Sequence, residues 1–241
     1  GRSAASYAWG DLDGDGLDDL LVANPSGAEL VLFLKERSHF RSPQTFPSFS
    51  GISSITSGHF FKDDRDTVVI ISAGEKTVGL SQMNKAGRIS FPRQLVVGEG
   101  DPLVCEAVDL DADGYDELAL VSEQKGEIAL TLVRPASRKV PASEWVVLSR
   151  TVLTGVKRKP SAIRAVNIFE DGRSALMVFV PREAPVLLFA DRADSFEFAE
   201  VAKKSTIRES LLKDIQKSQV SVFDTDGDGV NELVVGRSGY A

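Results

Sequence analysis

The sequence predicts an all-β fold, a β-propeller built from four-stranded antiparallel blades. Three observations carry this expectation. A pattern recurs along the chain with a period of about fifty residues. Each period holds four short apolar, β-branched runs separated by turn residues. An acidic, glycine-bearing loop stands between the first and second runs of three of the periods. Repeated units of this size and content are expected to pack side by side, because one small sheet cannot bury its own faces.

From the N-terminus, residues 6–9 lead into a loop that starts at Asp11, and 19–23 lead out of it as a second strand. Asn24-Pro25-Ser26-Gly27 is a turn. Residues 29–35 alternate as a third strand, and a fourth is expected near 41–46. The second unit repeats the series at 67–71, 77–82 and near Leu95, with turns at 72–76 and 84–87. The third has strands at 118–121, 127–133 and 144–148. Loop starts fall at 11, 59, 109, 167 and 224, giving units of about 6–53, 54–103, 104–161, 162–218 and an incomplete 219–241. One stretch departs from the pattern. Residues 203–218 place Ile207, Leu211, Leu212 and Ile215 at helical spacing behind a Thr206–Glu209 capping box. An inserted amphipathic helix is expected there, packed on the propeller rim, with partner docking as a second reading.

The chain has 241 residues and a formal charge of −7, from 35 acids against 28 bases. Fourteen of those acids lie in three segments: DLDGDGLDDLLVA from Asp11, DLDADGYDELALV from Asp109 and DTDGDGVNELVVG from Asp224. Acids occupy loop positions 1, 3, 5 and 9 in each. They are Asp11, Asp13, Asp15 and Asp19; then Asp109, Asp111, Asp113 and Glu117; then Asp224, Asp226, Asp228 and Glu232. Alternate carboxylates of a tightly wound loop converge. Position 6 is glycine (Gly16, Gly114, Gly229), where the backbone must bend and a side chain is expected to obstruct. The position-7 carbonyls of Leu17, Tyr115 and Val230 would add an oxygen each. An all-oxygen, multi-carboxylate cage favours calcium over magnesium and excludes a zinc preference, so three Ca2+ sites are expected. Asp18 and Asp116, at position 8, are expected to face solvent. Position 12 is Val22, Leu120 or Val235 and a strand follows, which excludes an EF-hand.

Two further copies keep the apolar run and lose the ligands. Copy two offers His59, Phe61, Asp63, Arg65 and Thr67 at the odd positions; copy four offers Asn167, Phe169, Asp171, Arg173 and Ala175. Arg65 and Arg173 are either built-in positive charges or ordinary solvated arginines.

The pattern DxDGDGxxD/E-L followed by an apolar strand resembles the FG-GAP (VCBS-type) repeat, as in integrin α-subunit propellers and many bacterial extracellular proteins. The resemblance covers essentially the whole chain and is strongest at the three intact loops. It implies a loop joining the first two strands of each blade, with calcium bracing one face of the propeller. It also implies seven blades, which needs about 350–380 residues at this period. Four units and half of a fifth therefore predict a partial propeller, with a small complete propeller as the alternative.

Composition excludes several functions. The acidic balance argues against nucleic acid as the main partner, and no apolar run is long enough to span a membrane. The chain has only His39 and His59, a single Cys105, and neither a Ser/His/Asp set nor a GxGxxG or Walker A sequence. The basic residues Lys157, Arg158 and Lys159, with Arg134, Arg138 and Lys139 upstream, form either a solvated loop or a site for an acidic ligand. The expectation is a non-catalytic, calcium-stabilised propeller that binds a protein or glycan in an extracellular, periplasmic or cell-surface setting. The alternative is an accessory or catalytic propeller domain of a polysaccharide-active lyase or hydrolase.

Overall fold

A computed structural model describes residues 6–24, 26–139, 144–168, 174–190, 196–200 and 212–236. Five antiparallel sheets follow one another along the chain. The first contains β1 (Tyr7–Gly10), β2 (Asp19–Asn24), β3 (Glu29–Phe33) and β4 (Gln44–Pro47). The second contains β5 (Ile52–Gly58), β6 (Thr67–Ser72), β7 (Thr77–Ser81) and β8 (Arg93–Leu95). The third contains β9 (Asp101–Val108), β10 (Glu117–Gln124), β11 (Glu127–Pro135) and β12 (Trp145–Val152). The fourth contains β13 (Ala162–Val166), β14 (Ala175–Phe179), β15 (Val186–Ala190) and β16 (Phe198–Glu200). The last pairs β17 (Val220–Phe223) with β18 (Glu232–Val235). Each four-stranded sheet is a simple meander in chain order, and the assembly is propeller-like.

The first strands form the seams between sheets. β1 packs beside β5, β5 beside β9, and β9 beside β13. Side chains stitch the first two seams: Ile55 N donates to Ser6 Oγ at 3.0 Å, Ser57 Oγ to the Trp9 carbonyl at 2.6 Å, and Ala107 N to Thr56 Oγ1 at 3.2 Å.

The core is a set of layers between successive sheets, which explains the apolar runs. In a strand with both faces covered, consecutive residues feed different layers. Val68 and Ile70 of β6 pack toward the first sheet with Leu21, Leu30 and Leu32, whereas Val69 and Ile71 join Leu118, Leu120 and Val133 of the third. β10 divides likewise: Ala119 and Val121 pack with Ile163, Leu176 and Val178 of the fourth sheet. All six residues of β6 are buried, while β2 alternates between buried and half-buried. The outward face of the first sheet leaves Tyr7 53% and Trp9 50% exposed.

The expected helix lies mainly outside the described residues. Its described end does not remain helical to 218. Asp214 has φ 64, Gln216 is extended, and a 3-10 turn covers Lys217–Gln219. A left-handed Asp214 cannot continue a right-handed helix. Ile215 is buried and Leu212 packs with it against the fourth sheet, so these two residues make the expected apolar contact. Among the described residues, no helix is long and apolar enough to cross a membrane.

Candidate metal centres

Strand pairing places all five loops at the same point. The residue before position 1 pairs with position 9 in every copy: Gly10 with Asp19, Gly58 with Thr67, Val108 with Glu117, Val166 with Ala175, and Phe223 with Glu232. Each loop is therefore the eight-residue connection between the first and second strands of a sheet.

Within the three acidic loops, the carboxylates wind the backbone around themselves. The position-1 carboxylate accepts the position-6 N–H: Gly16 N to Asp11 Oδ2 at 2.8 Å, Gly114 N to Asp109 Oδ2 at 3.0 Å, and Gly229 N to Asp224 Oδ2 at 2.9 Å. Position 3 accepts from position 5, and position 5 from position 7, so Leu17, Tyr115 and Val230 donate to Asp15, Asp113 and Asp228. The position-6 glycines have φ of 82, 84 and 89. A Cβ built on any of them meets nothing within 4 Å, so the expected obstruction is absent. Glycine is needed there for its left-handed backbone alone. Position 4 is left-handed as well (Gly14, Ala112, Gly227), a feature hidden in the second loop by its alanine.

Position 9 is the most deeply set. Asp19 and Glu117 are both 0% exposed. In all three loops this side chain accepts the position-2 N–H: Leu12 N on Asp19, Leu110 N on Glu117, and Thr225 N on Glu232. Burial pushes Asp19 up to about 6 against the pull of the Lys35 and Leu12 N–H donors. It pushes Glu117 up to about 7 against the Leu110 N–H and the Arg138 guanidinium.

Three carboxylate clusters able to hold a metal ion result: Asp11, Asp13 and Asp15; Asp109, Asp111 and Glu117; Asp224, Asp226 and Glu232. In each, one oxygen from every member lies within 4.8 Å of the others. Asp19, Asp113 and Asp228 stand outside these trios. The exchange has a simple cause. Aspartate at position 9 is one methylene shorter than glutamate and is held by Leu12 N and Lys35 N, leaving Asp15 to complete the first trio. In the other loops the longer Glu117 and Glu232 reach the cluster.

These residues suit a hard cation. Asp109 Oδ1 is buried with no hydrogen-bond partner, an acceptor that a positive ion would satisfy. Burial and acidic neighbours both oppose ionisation here: Asp13 is raised first by burial and then by the charge of Asp15.

Asp116 does not face solvent as expected. Its Oδ2 accepts His59 N at 2.6 Å, while its own N–H donates to the His59 carbonyl at 3.0 Å. Asp66 repeats this clasp one sheet earlier, on Asp11 N at 3.1 Å and the Asp11 carbonyl at 2.7 Å. The position-8 aspartate of one sheet thus grips the position-1 peptide of the preceding sheet. This role involves a neighbouring unit, so loop spacing alone did not reveal it. Asp18, at the same position in the first loop, is exposed.

The basic residues also find internal partners. Arg138 reaches Glu117 at 2.7 Å, Arg134 lies 3.6 Å from Asp111, Arg158 3.4 Å from Glu183, and Lys159 2.6 Å from Glu123. Arg65 donates to the Met83 carbonyl at 3.0 Å rather than entering a carboxylate cluster.

Comparison with known proteins agrees with the repeat. Residues 4–32 match the FG-GAP repeat family, consistent with an FG-GAP/VCBS-type repeat protein. No curated protein matches the chain in sequence. Among solved structures, a functionally unknown protein from Desulfotomaculum acetoxidans DSM 771 is similar at 14% identity and a TM-score of 0.51, over 83% of this chain and 56% of that one. Rhamnogalacturonan lyase YesW overlaps at 14% identity with a TM-score of 0.37, over 97% of this chain and 40% of the lyase. The first likeness concerns the fold alone, and the second is too low to carry an argument. The chain spans roughly half the length of these matched structures.

Proposed function

We propose that this chain is a non-catalytic, calcium-stabilised propeller domain that presents its surface to a protein or glycan outside the cytoplasm. The observation that carries this reading is the threefold recurrence of a carboxylate trio within 4.8 Å on the same strand-to-strand loop. Carboxylate and carbonyl oxygens around a flexible loop suit calcium. The ligands are Asp11, Asp13, Asp15 and Asp19 with the Leu17 carbonyl; Asp109, Asp111, Asp113 and Glu117 with that of Tyr115; and Asp224, Asp226, Asp228 and Glu232 with that of Val230. Bound calcium supplies a fixed positive charge, and these residues hold the loop closed around it. Loops of this kind suit the millimolar calcium outside cells. The FG-GAP repeat match over residues 4–32 supports the reading as a repeat-built binding module.

The test is thermal melting of metal-free protein with and without calcium. Because ligand binding to the folded state stabilises by mass action, 100 Kd of calcium adds about 2.7 kcal/mol per site. A clear rise in Tm with calcium, larger than that with magnesium, is expected. An unchanged Tm in protein verified to be metal-free overturns the calcium reading.

A further inference from the structure

We propose that the loop at Asp109 carries its own cation, the Arg138 guanidinium, and is therefore the weakest of the three calcium sites. This inference rests on the calcium reading for the other two loops.

The geometry is specific to one sheet. Arg138 Nη2 lies 2.7 Å from Glu117 Oε1, and the side chains are only 14% and 0% exposed. The same nitrogen is 3.7 Å from Asp113 Oδ2. Nη1 donates to the Asp116 carbonyl at 2.8 Å and the Phe60 carbonyl at 3.4 Å. The Tyr115 ring lies 5.4 Å from the guanidinium carbon. The main chain is fixed as well, since Lys62 N donates to the Arg138 carbonyl at 2.6 Å. A second guanidinium, Arg134, stands 3.6 Å from Asp111. Three expected ligands, at positions 3, 5 and 9, thus already face positive charge.

Among the described residues, the other loops lack this arrangement; the exposed Arg41 acts on Asp13 and Asp15 through its charge, without an ion pair to either. The oxygen of Asp19 that corresponds to the Arg138-bound oxygen of Glu117 takes a neutral donor, Lys35 N at 2.7 Å. Glu232 is engaged by Thr225 through its N–H and hydroxyl. Among the described residues, no ion pair reaches the ligands of the loops at Asp11 and Asp224.

Arginine cannot shed its proton to make way for a metal. Calcium entering this loop must either displace the guanidinium from a buried carboxylate or bind beside a like charge. A charge at about 4–6 Å shifts an ionic equilibrium by roughly one to three powers of ten. Orphaned Asp109 Oδ1 still offers the ion an oxygen, so the site is weakened rather than abolished. In metal-free protein the same arginine braces the loop that calcium braces elsewhere.

The test is isothermal titration of metal-free full chain with calcium chloride. Wild type is expected to show two tight equivalents and a third at least about tenfold weaker. Arg138→Gln should tighten that third equivalent about tenfold or more and lower the Tm in chelator, with calcium restoring it. Arg138→Lys, which keeps the charge, should retain the weak third site. An unchanged third affinity in Arg138→Gln overturns the inference. Should that variant fail to fold, the wild-type background decides. Asp13→Asn and Asp226→Asn should each remove one tight equivalent, and Asp113→Asn only the weak phase. Loss of a tight equivalent in Asp113→Asn overturns the inference while leaving the calcium reading intact; absence of calcium binding to any variant overturns the calcium reading itself.

Discussion

The loops at His59 and Asp109 belong to adjacent sheets and take the same course by different means. Both start one residue after a matched strand pair, Gly58–Thr67 and Val108–Glu117. Both also grip the preceding sheet with a position-8 aspartate. The acidic loop uses carboxylates that demand positive charge, supplied within the chain by Arg138. The His59 loop instead places Phe60 and Phe61, 0% and 2% exposed, against the Trp145 ring at 5.2 and 6.3 Å. Its position-9 residue, Thr67, is neutral and accepts the Gln82 amide at 2.8 Å. Strand register and clasp therefore set the path of the loop, and either apolar burial or a cation anchors it.

The largest effect is expected from removing the apolar anchor. Phe61→Ala should cost about 3–5 kcal/mol of stability, measured by urea denaturation, because it opens a cavity at a buried aromatic. The loss should be the same with calcium and with chelator. A loss that calcium repairs would mean that the two anchoring modes are not separate.

The clasp shared by both loops comes next. Asp116→Ala leaves His59 N without its acceptor and should cost about 1–3 kcal/mol. Asp18→Ala, at the same loop position but exposed, should change stability little. Equal losses in the two variants would refute the clasp as the reason for the difference.

A pH dependence also separates the two loops. Burial raises Asp66 to about 6, countered in part by His59, and raises Glu117 to about 7. Both folded values lie above the unfolded ones, so the folded state holds these protons more tightly. Their contribution is fully present below about pH 4 and is lost as pH rises through 6 and 7. Metal-free protein should accordingly melt at a lower temperature at pH 7.5 than at pH 5. Calcium should narrow the Glu117 part of that gap and leave the Asp66 part, whereas Asp66→Asn should remove the latter. A flat melting profile across this range would show that these protons are not linked to folding.

Much of the repeat was legible in the residues themselves. Apolar alternation located most strands, and the aspartate spacing located the acidic loops, because both depend on neighbours a few residues apart. β3 ends at Phe33 rather than at 35, with Lys35 left in an isolated bridge to Phe40. The inserted helix was misread toward its end because periodicity cannot register the left-handed turn at Asp214. The basic residues around 134–139 read as either a solvated loop or a site for an acidic ligand because their acidic partners in the loop at Asp109 lie about twenty residues or more away in sequence.

The sequence by itself determined the period, the register-defining loops and which loop positions carry carboxylates, since spacing along a strand or a tight loop dictates direction. Only the tertiary structure decided which three carboxylates meet, which aspartates grip a neighbouring sheet and where an arginine stands among the acids. Those outcomes depend on how far a side chain reaches, as between Asp19 and Glu117, and on which distant backbone the sheet stacking brings beside it.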